Sequence, residues 1–236
     1  MTNQQHDAPL EYYRARFRAL DPEEASRRTG LSFDPSQNRF TFKALGQTLY
    51  AKLPDFSIIK PGKGGQSNPK TKPDDIIMPE DLENCPNVLY NFEMQLLTMQ
   101  FLLSGAAAPP GGRFMAYREL PWGEVYDANF QGRCIKRLAN AFGNDPGKFA
   151  KAAEALGGVK QGLGDVSYDL PFLGGVICRL ILWAPDDEFP ASAQFLFSDN
   201  TRLSFNAEAL AGVGDVVISA LKEVSKRNDS NSGQEE

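Results

Sequence analysis

The sequence predicts an α+β fold in which a mainly antiparallel sheet packs against several helices. Three observations lead to this prediction. Helical and strand-like segments follow one another irregularly, unlike the regular alternation of a parallel α/β protein. Asn38–Leu53 alternates apolar and polar residues around a Gly-Gln pair, the pattern of an antiparallel hairpin. In the last third, apolar strands are followed by one long amphipathic helix.

The N-terminal elements are predicted from helix periodicity and capping residues. Apolar residues recur every three or four positions in Leu10–Leu20, which indicates an amphipathic helix. A second helix is expected after Asp21, which can cap it, with Pro22 in the first turn and Gly30 at the end. The hairpin of Asn38–Leu53 follows.

Three segments lack the composition of a folded core. Lys60–Asp75 is rich in Gly, Pro, Lys, Asn and Ser, so we expect a mobile loop there. Its glycines depart from the GxxxxGK[ST] pattern of a phosphate loop, and a solvated loop is favoured over a nucleotide site. Residues 1–9 and 227–236 are polar and are expected to be disordered. A single α+β domain over residues 10–226 is therefore predicted.

The middle of the chain predicts helices separated by one strand. Pro86–Ser104 carries a broad apolar face, which is typical of a packed helix. Phe114–Leu120 has the pattern of a strand. Val125–Phe142 is predicted as a helix with a weak point at Gly132. A further helix is expected to begin after Asp145, whose side chain can cap it.

The last third is predicted to contribute strands and the closing helix. Asn206 can cap a helix that extends from Ala207 to about Lys226. Gly212 and Gly214 weaken this helix, and we expect them where it presses closely against a sheet. The predicted strands are Val166–Leu170, Val176–Trp183 and Ala193–Phe197.

Charge and hydropathy exclude several partners. The net charge of −5 argues against nucleic acid and against an anionic membrane surface, since both recruit clustered cations. No apolar run approaches the roughly 18 residues that a membrane span needs. The N-terminal segment lacks the apolar centre of a signal peptide. We therefore expect a soluble, cytoplasmic protein.

Residue counts exclude several kinds of catalytic site. His6 is the single histidine, so the chain cannot by itself form a Ser-His-Asp triad, a Cys-His pair or a His-ligated zinc site. Cys85, Cys134 and Cys178 are odd in number and far apart, so no disulfide framework and no cluster motif is predicted. Each is expected to be a small buried apolar residue.

The segment Trp183–Ser192 is the first candidate site. Between its two prolines stand three consecutive carboxylates, Asp186, Asp187 and Glu188. Prolines restrict the loop, and carboxylates held this close repel one another unless a cation or a backbone nest lies nearby. A ligand or cation site is one interpretation, and acid–base catalysis is another. The alternative is a solvated turn in which an Asp hydrogen-bonds its own backbone.

Tyr117–Tyr126 is the second candidate site. The side chains of Arg118, Trp122 and Tyr126 could stack on a flat ligand or hold an anionic group. In the alternative interpretation the aromatic residues belong to the core, and Arg118 pairs with a structural carboxylate. Arg179 lies inside an apolar strand and needs a partner if it is buried, and the acidic loop follows a few residues later.

Two segments, Phe114–Tyr126 and Leu180–Phe197 with its closing helix, resemble an uncharacterised prokaryotic family known as a domain of unknown function. The resemblance extends from about Tyr12 to Lys222, and the acidic segment is its most specific part. Relatives often carry iron–sulfur domains or stand beside iron–sulfur proteins. The resemblance therefore implies a link to anaerobic redox or corrinoid metabolism, without an assigned reaction. Any cluster would belong to a partner, because this chain lacks the required cysteines.

The leading functional hypothesis is a binding protein for a small molecule or cofactor of unknown identity. Its predicted pocket is lined by Trp183, Asp186, Asp187, Glu188, Arg118, Trp122 and Tyr126. The first alternative is an enzyme in which a carboxylate acts as base or binds a divalent cation such as Mg²⁺. The second is an interaction module that docks a redox-protein partner through the Lys60–Asp75 loop or the C-terminal helix. The sequence leaves the catalytic residues unassigned, and no resident metal is predicted.

Overall fold

The computed structural model describes residues 12–53 and 85–232. The predicted loop Lys60–Asp75 and the predicted disordered segments 1–9 and 233–236 lie outside the described residues. The described part is α+β with two antiparallel sheets, so the predicted fold class is confirmed. None of its helices combines the length and apolar character that crossing a membrane requires.

The first sheet contains three strands that pair antiparallel in chain order. The predicted hairpin is confirmed, although its two turn residues are Leu45 and Gly46. Both have positive φ angles of 49° and 72°, as a tight two-residue hairpin requires. Helices α1 and α2 precede this sheet, and Asp21 and Gly30 cap α2 as predicted. The elements are α1 (12–18), α2 (Pro22–Thr29), β1 (Ser32–Asp34), β2 (Arg39–Ala44) and β3 (Gln47–Lys52).

The second sheet has five antiparallel strands in the order β4-β8-β7-β6-β5. The central strand β7 is the near-continuous apolar strand predicted from sequence, and most of its side chains are buried. The backbone N–H of Leu45 donates to the Pro171 carbonyl, which links the hairpin turn to the end of β6. The strands are β4 (Phe114–Ala116), β5 (Val159–Gln161), β6 (Val166–Pro171), β7 (Ile177–Trp183) and β8 (Ser192–Ser198).

Helices form two layers over the second sheet. The segment from α4 to α6 packs on β6, β7 and β8, and α8 packs on that segment and on α3. A π-helix, Gln131–Lys136, joins α4 and α5 without a break. Short 3₁₀ turns occupy Asn87–Tyr90, Tyr117–Glu119 and Leu173–Gly175. The helices are α3 (Phe92–Ser104), α4 (Gly123–Phe130), α5 (Arg137–Phe142), α6 (Pro146–Ala155), α7 (Thr201–Ser204) and α8 (Ala207–Ser232).

The predicted strand Phe114–Leu120 is too long. Strand β4 ends at Ala116, because the Glu119 carboxylate accepts a hydrogen bond of 2.7 Å from the Ala116 backbone N–H. The chain then turns as a 3₁₀ helix, in which the Leu120 N–H donates to the Tyr117 carbonyl. This turn directs the chain away from the sheet edge and into α4.

Helix α8 is longer than predicted, and its glycines have other neighbours. It continues to Ser232, so residues 227–232, which were expected in a disordered tail, are helical. An ion pair of 2.9 Å between Lys148 and Asp229 ties this extension to α6. A Cβ on Gly212 would lie 2.1 Å from Glu93 Oε1, and one on Gly214 would lie 2.8 Å from Cys134 Sγ. The glycines therefore allow α8 to pack closely against α3 and the π-helix. The sequence had predicted a close contact with a sheet at these positions.

Arg179 is paired within the sheet. Two hydrogen bonds of 2.7 Å join its guanidinium to the Asp169 carboxylate, which faces it across the β6–β7 pair. The guanidinium carbon lies 3.6 Å from the centre of the Phe114 ring. The side chains of Arg179 and Asp169 are only 20% and 13% exposed. The two hydrogen bonds and the Phe114 ring therefore replace the water contacts that these charges lose on burial. This partner is distinct from the acidic loop suggested by proximity in sequence.

Removal of one member of this pair should be more harmful than removal of both. Asp169→Ala leaves a mostly buried guanidinium unpaired, and we expect a loss of about 3 kcal/mol in the free energy of unfolding. The double variant Asp169→Leu/Arg179→Met should recover most of that loss, because no charge remains buried. Urea denaturation measures both changes. Glu23→Ala, in the exposed pair with Arg27, is the control and should unfold like the wild type. A double variant as unstable as Asp169→Ala would contradict this account.

Candidate functional site

The acidic loop is held by its own backbone. Asp186 Oδ1 accepts hydrogen bonds from the backbone N–H groups of Glu188 and Phe189 at 2.9 Å and 2.7 Å. The Asp186 N–H in turn donates to the Phe189 carbonyl at 3.0 Å. The carboxylates of Asp186, Asp187 and Glu188 are exposed, and no ion pair joins them to any other part of the described chain. The cationic counterpart expected for this loop is therefore not found among the described residues.

Trp183 is positioned by the sheet and by the turn before β6. It is the last residue of β7, lies opposite Ser192 and is half-buried. A Cβ on Gly164 would lie 3.3 Å from the Trp183 ring, so the indole packs over this turn. The Asp165 carboxylate accepts a hydrogen bond of 2.7 Å from the Ala184 N–H and fixes the chain after the ring. These contacts indicate that the Trp183 indole packs against the protein and contributes to the structure of this turn.

Trp122 projects into solvent from a tightly built turn. Its side chain is 79% exposed, and its φ of 67° places a bulky residue in the left-handed region. A Cβ on the next residue, Gly123, would lie 2.0 Å from the Tyr117 carbonyl oxygen, so the turn requires glycine there. Arg118 and Tyr126 are also exposed. Tyr126 is the predicted site residue that lines a cleft of the described structure.

That cleft lies between α3, the α4–π segment and the first turns of α8, and we name it the α3–α8 cleft. Its volume is about 550 Å³. Tyr126, Phe130, Leu96 and Leu97 give it an apolar wall. The polar groups that line it are Glu93, Gln100, Asn129, Arg133 and Glu208.

The π-helix shapes one side of the α3–α8 cleft. A π-helix inserts one residue into a helical turn, and such insertions occur frequently at functional sites. Here it carries Arg133 and Cys134, which both line the cleft. Burial, followed by the nearby Asp215 charge, raises the pKa of the Cys134 thiol to about 12. A raised pKa keeps the Cys134 thiol largely protonated at physiological pH, which disfavours a thiolate role.

Gln100 is the unusual polar group of the α3–α8 cleft. Its Nε2 donates to the Tyr13 hydroxyl at 2.9 Å. Its Oε1 is buried and accepts no hydrogen bond from the described residues. A buried carbonyl oxygen without a donor costs about 1–3 kcal/mol. Gln100 lines the α3–α8 cleft and also a second cleft beside Tyr13, and a donor that reached this oxygen would satisfy it.

The three free cysteines are buried, as expected. Across residues 12–53 and 85–232, no group of three or more His, Cys, Asp or Glu side chains is arranged to hold a metal ion.

Residues 21–220 match the family model described as a domain of unknown function, DUF3786. The chain belongs to the DUF3786 family. The matched range includes both sheets of this DUF3786 protein and all residues of the α3–α8 cleft. Membership of a domain-of-unknown-function family is thus confirmed, and the comparisons show no link to iron–sulfur proteins. No curated protein and no solved structure matches the chain.

Most residues of the α3–α8 cleft were not predicted as site residues from the sequence. Glu93, Gln100 and Glu208 lie on helices α3 and α8, which the sequence predicted as helices without assigning a site to them. Two signals could have indicated them. Gly132, noted as a weak point, lies in the π-helix, and Gly212 marks a close contact between α8 and α3.

The three carboxylates of the acidic loop should differ in their effect on stability. Asp186→Ala removes the acceptor of two backbone hydrogen bonds, and we expect it to lower the free energy of unfolding by about 1 kcal/mol. Asp187→Asn and Glu188→Gln alter exposed groups that form no ion pair with residues 12–53 or 85–232, and they should leave the free energy of unfolding unchanged. Thermal unfolding followed by circular dichroism measures each change. A clear loss at Asp187 or Glu188 would reveal a partner outside the described residues.

Proposed function

We propose that this DUF3786 protein binds a small molecule in the α3–α8 cleft. The observation that carries the proposal is the buried, unpartnered Oε1 of Gln100 at the wall of a cleft of about 550 Å³. That volume lies within the range of about 300–1,000 Å³ for small-molecule sites. Apolar walls with a few polar groups are also typical of such sites.

The lining favours a ligand that donates hydrogen bonds. Glu93, Glu208 and Gln100 line the cleft, and each carries a side-chain oxygen that can accept a hydrogen bond. Tyr126 and Phe130 offer aromatic surface against which a flat group can lie. We therefore infer a partly apolar, flat molecule that carries amino, amide or hydroxyl groups. A multiply charged anion is disfavoured beside two carboxylates.

The proposed site contains other residues than the pocket predicted from sequence, although the class of function, small-molecule binding, is the same. Tyr126 stays in the proposed site, and Trp122, one helical turn before it, offers an exposed aromatic ring near the same helix end. The acidic loop and Trp183 are not part of the proposed site. A link to anaerobic redox or corrinoid metabolism rests on the sequence resemblance alone, as does a redox-protein partner.

A side chain that fills the cleft should abolish binding. Ala211 lines the cleft, so Ala211→Trp places an indole in the ligand space. The matched control is Ala128→Trp, which adds the same ring on an exposed part of α4. Each purified protein is dialysed against a metabolite extract, and the enriched compounds are identified by mass spectrometry. The wild type and Ala128→Trp should enrich the same compound, and Ala211→Trp should not. Equal enrichment by all three proteins, or by none, contradicts the proposal.

Gln100→Met should separate binding from stability. Methionine keeps the length of the side chain and removes the buried unpartnered oxygen, whose desolvation costs about 1–3 kcal/mol. Loss of the hydrogen bond to Tyr13 offsets part of the gain from removing this oxygen. We therefore expect a free energy of unfolding equal to or above that of the wild type. Ligand enrichment should nevertheless fall, because the acceptor is gone. Urea denaturation and the dialysis assay give the two values. Binding that survives in this variant would remove Gln100 from the site.

A further inference from the structure

A second cleft lies on the other side of the π-helix, between α5, α6 and the C-terminal half of α8. Its volume is about 560 Å³, and we name it the basic cleft. Gly132 and Lys136 of the π-helix line it, whereas Arg133 and Cys134 of the same π-helix line the α3–α8 cleft. The basic cleft is defined by its charged residues, which are Lys136, Arg137, Lys148, Lys222, Lys226 and Asp229.

Positive charge in the basic cleft exceeds the negative charge available to balance it. Asp229 is the single carboxylate of the lining, and it pairs with Lys148 at 2.9 Å. Arg137 pairs with Asp215 and also donates to the Ser219 hydroxyl. Three cations therefore remain without an ion pair in the described part of the chain, namely Lys136, Lys222 and Lys226.

This excess is unusual for the chain that contains it. The protein as a whole carries a net charge of −5, yet three helices direct cations to one cleft. Lys222 and Lys226 stand one helical turn apart on α8, where like charges destabilise a helix. Repulsion among the lysines is relieved when an anion enters, because each ammonium then gains a charge-assisted hydrogen bond.

We propose that the basic cleft binds a phosphate-bearing small molecule with more than one phosphate charge. Lysines supply point charges, and the hydroxyl of Ser225 and the amide of Asn140 supply neutral donors at the same cleft. The volume suits a molecule of nucleotide size. Phe142 and Ala141 provide an apolar surface for the part of the ligand that is not phosphate. The two clefts thus have opposite polarity, and this site does not depend on the function proposed above.

Calorimetric titration of the full chain at low ionic strength tests the proposal. The probes are pyrophosphate, adenosine triphosphate and inorganic phosphate, with succinate as a carboxylate dianion. We expect saturable binding of pyrophosphate and adenosine triphosphate, weaker binding of inorganic phosphate and none of succinate. Binding should weaken as salt is added, because counterions screen the lysines. Tighter binding of the nucleotide than of pyrophosphate would identify a nucleotide-like ligand, and equal binding would identify the phosphate chain alone.

Substitutions of lysines inside and outside the basic cleft test whether the phosphate compounds bind there. Lys222→Gln/Lys226→Gln removes two unpaired cations, and we expect affinity to fall at least about tenfold, since two charge-assisted hydrogen bonds are lost. Lys222→Arg/Lys226→Arg keeps the charge and should keep most of the affinity. Lys43→Gln/Lys160→Gln removes the same charge from exposed strand positions and should bind like the wild type.

Three results would overturn the proposal. The first is the absence of saturable binding of pyrophosphate and adenosine triphosphate to the wild type. The second is an equal loss in both glutamine double variants, which would indicate a response to overall charge. The third is binding of succinate as tight as that of pyrophosphate, which would indicate generic anion exchange. Thermal unfolding of every variant is measured in parallel, so that a loss of binding can be told from a loss of fold.

Discussion

A buried aromatic stack joins the parts of this molecule that form its clefts. The rings of Tyr117 and Phe130 are parallel, with an interplanar angle of 2° and centroids 4.2 Å apart. Phe195 and Phe197 of β8 pack against the Phe130 ring from the sheet. The Tyr117 hydroxyl donates to the Ala207 carbonyl at 2.8 Å, at the first residue of α8. One cluster therefore joins the turn after β4, helix α4, strand β8 and the start of α8.

The π-helix begins immediately after Phe130, which belongs to the aromatic stack. Phe130 is held by the stack, and the next six residues form the π-helix before α5 resumes. The extra residue rotates the helix surface between Phe130 and Arg137, so that side chains of one short segment line clefts of opposite polarity. Gly214 permits α8 to pack over Cys134 at this place, because a Cβ would lie 2.8 Å from its sulfur. Residues of this π-helix line both clefts, and Gly212, at the close contact of α8 with α3, lines the α3–α8 cleft.

Arg179 and the acidic loop show how a plausible inference from sequence fails. A buried arginine needs a partner, and this requirement was correctly inferred from the apolar strand around it. The nearest acidic residues along the chain are those of the acidic loop, but antiparallel register places Asp169 opposite Arg179. Among the described residues no cation pairs with the carboxylates of the loop, and Asp186 accepts hydrogen bonds from its own backbone. Register is a property of paired strands, so it could not be read from either strand alone.

The sequence by itself determined the fold class, most element positions, the caps at Asp21 and Asn206, the β2–β3 hairpin and the burial of the cysteines. These features depend on local periodicity and on hydrogen bonds between residues close in the chain. Only the tertiary structure decided the partner of Arg179, the end of β4, the length of α8 and both clefts. Each of these depends on side chains brought together from distant segments. Glu93 and Glu208, for example, meet at one cleft only because α3 and α8 pack side by side.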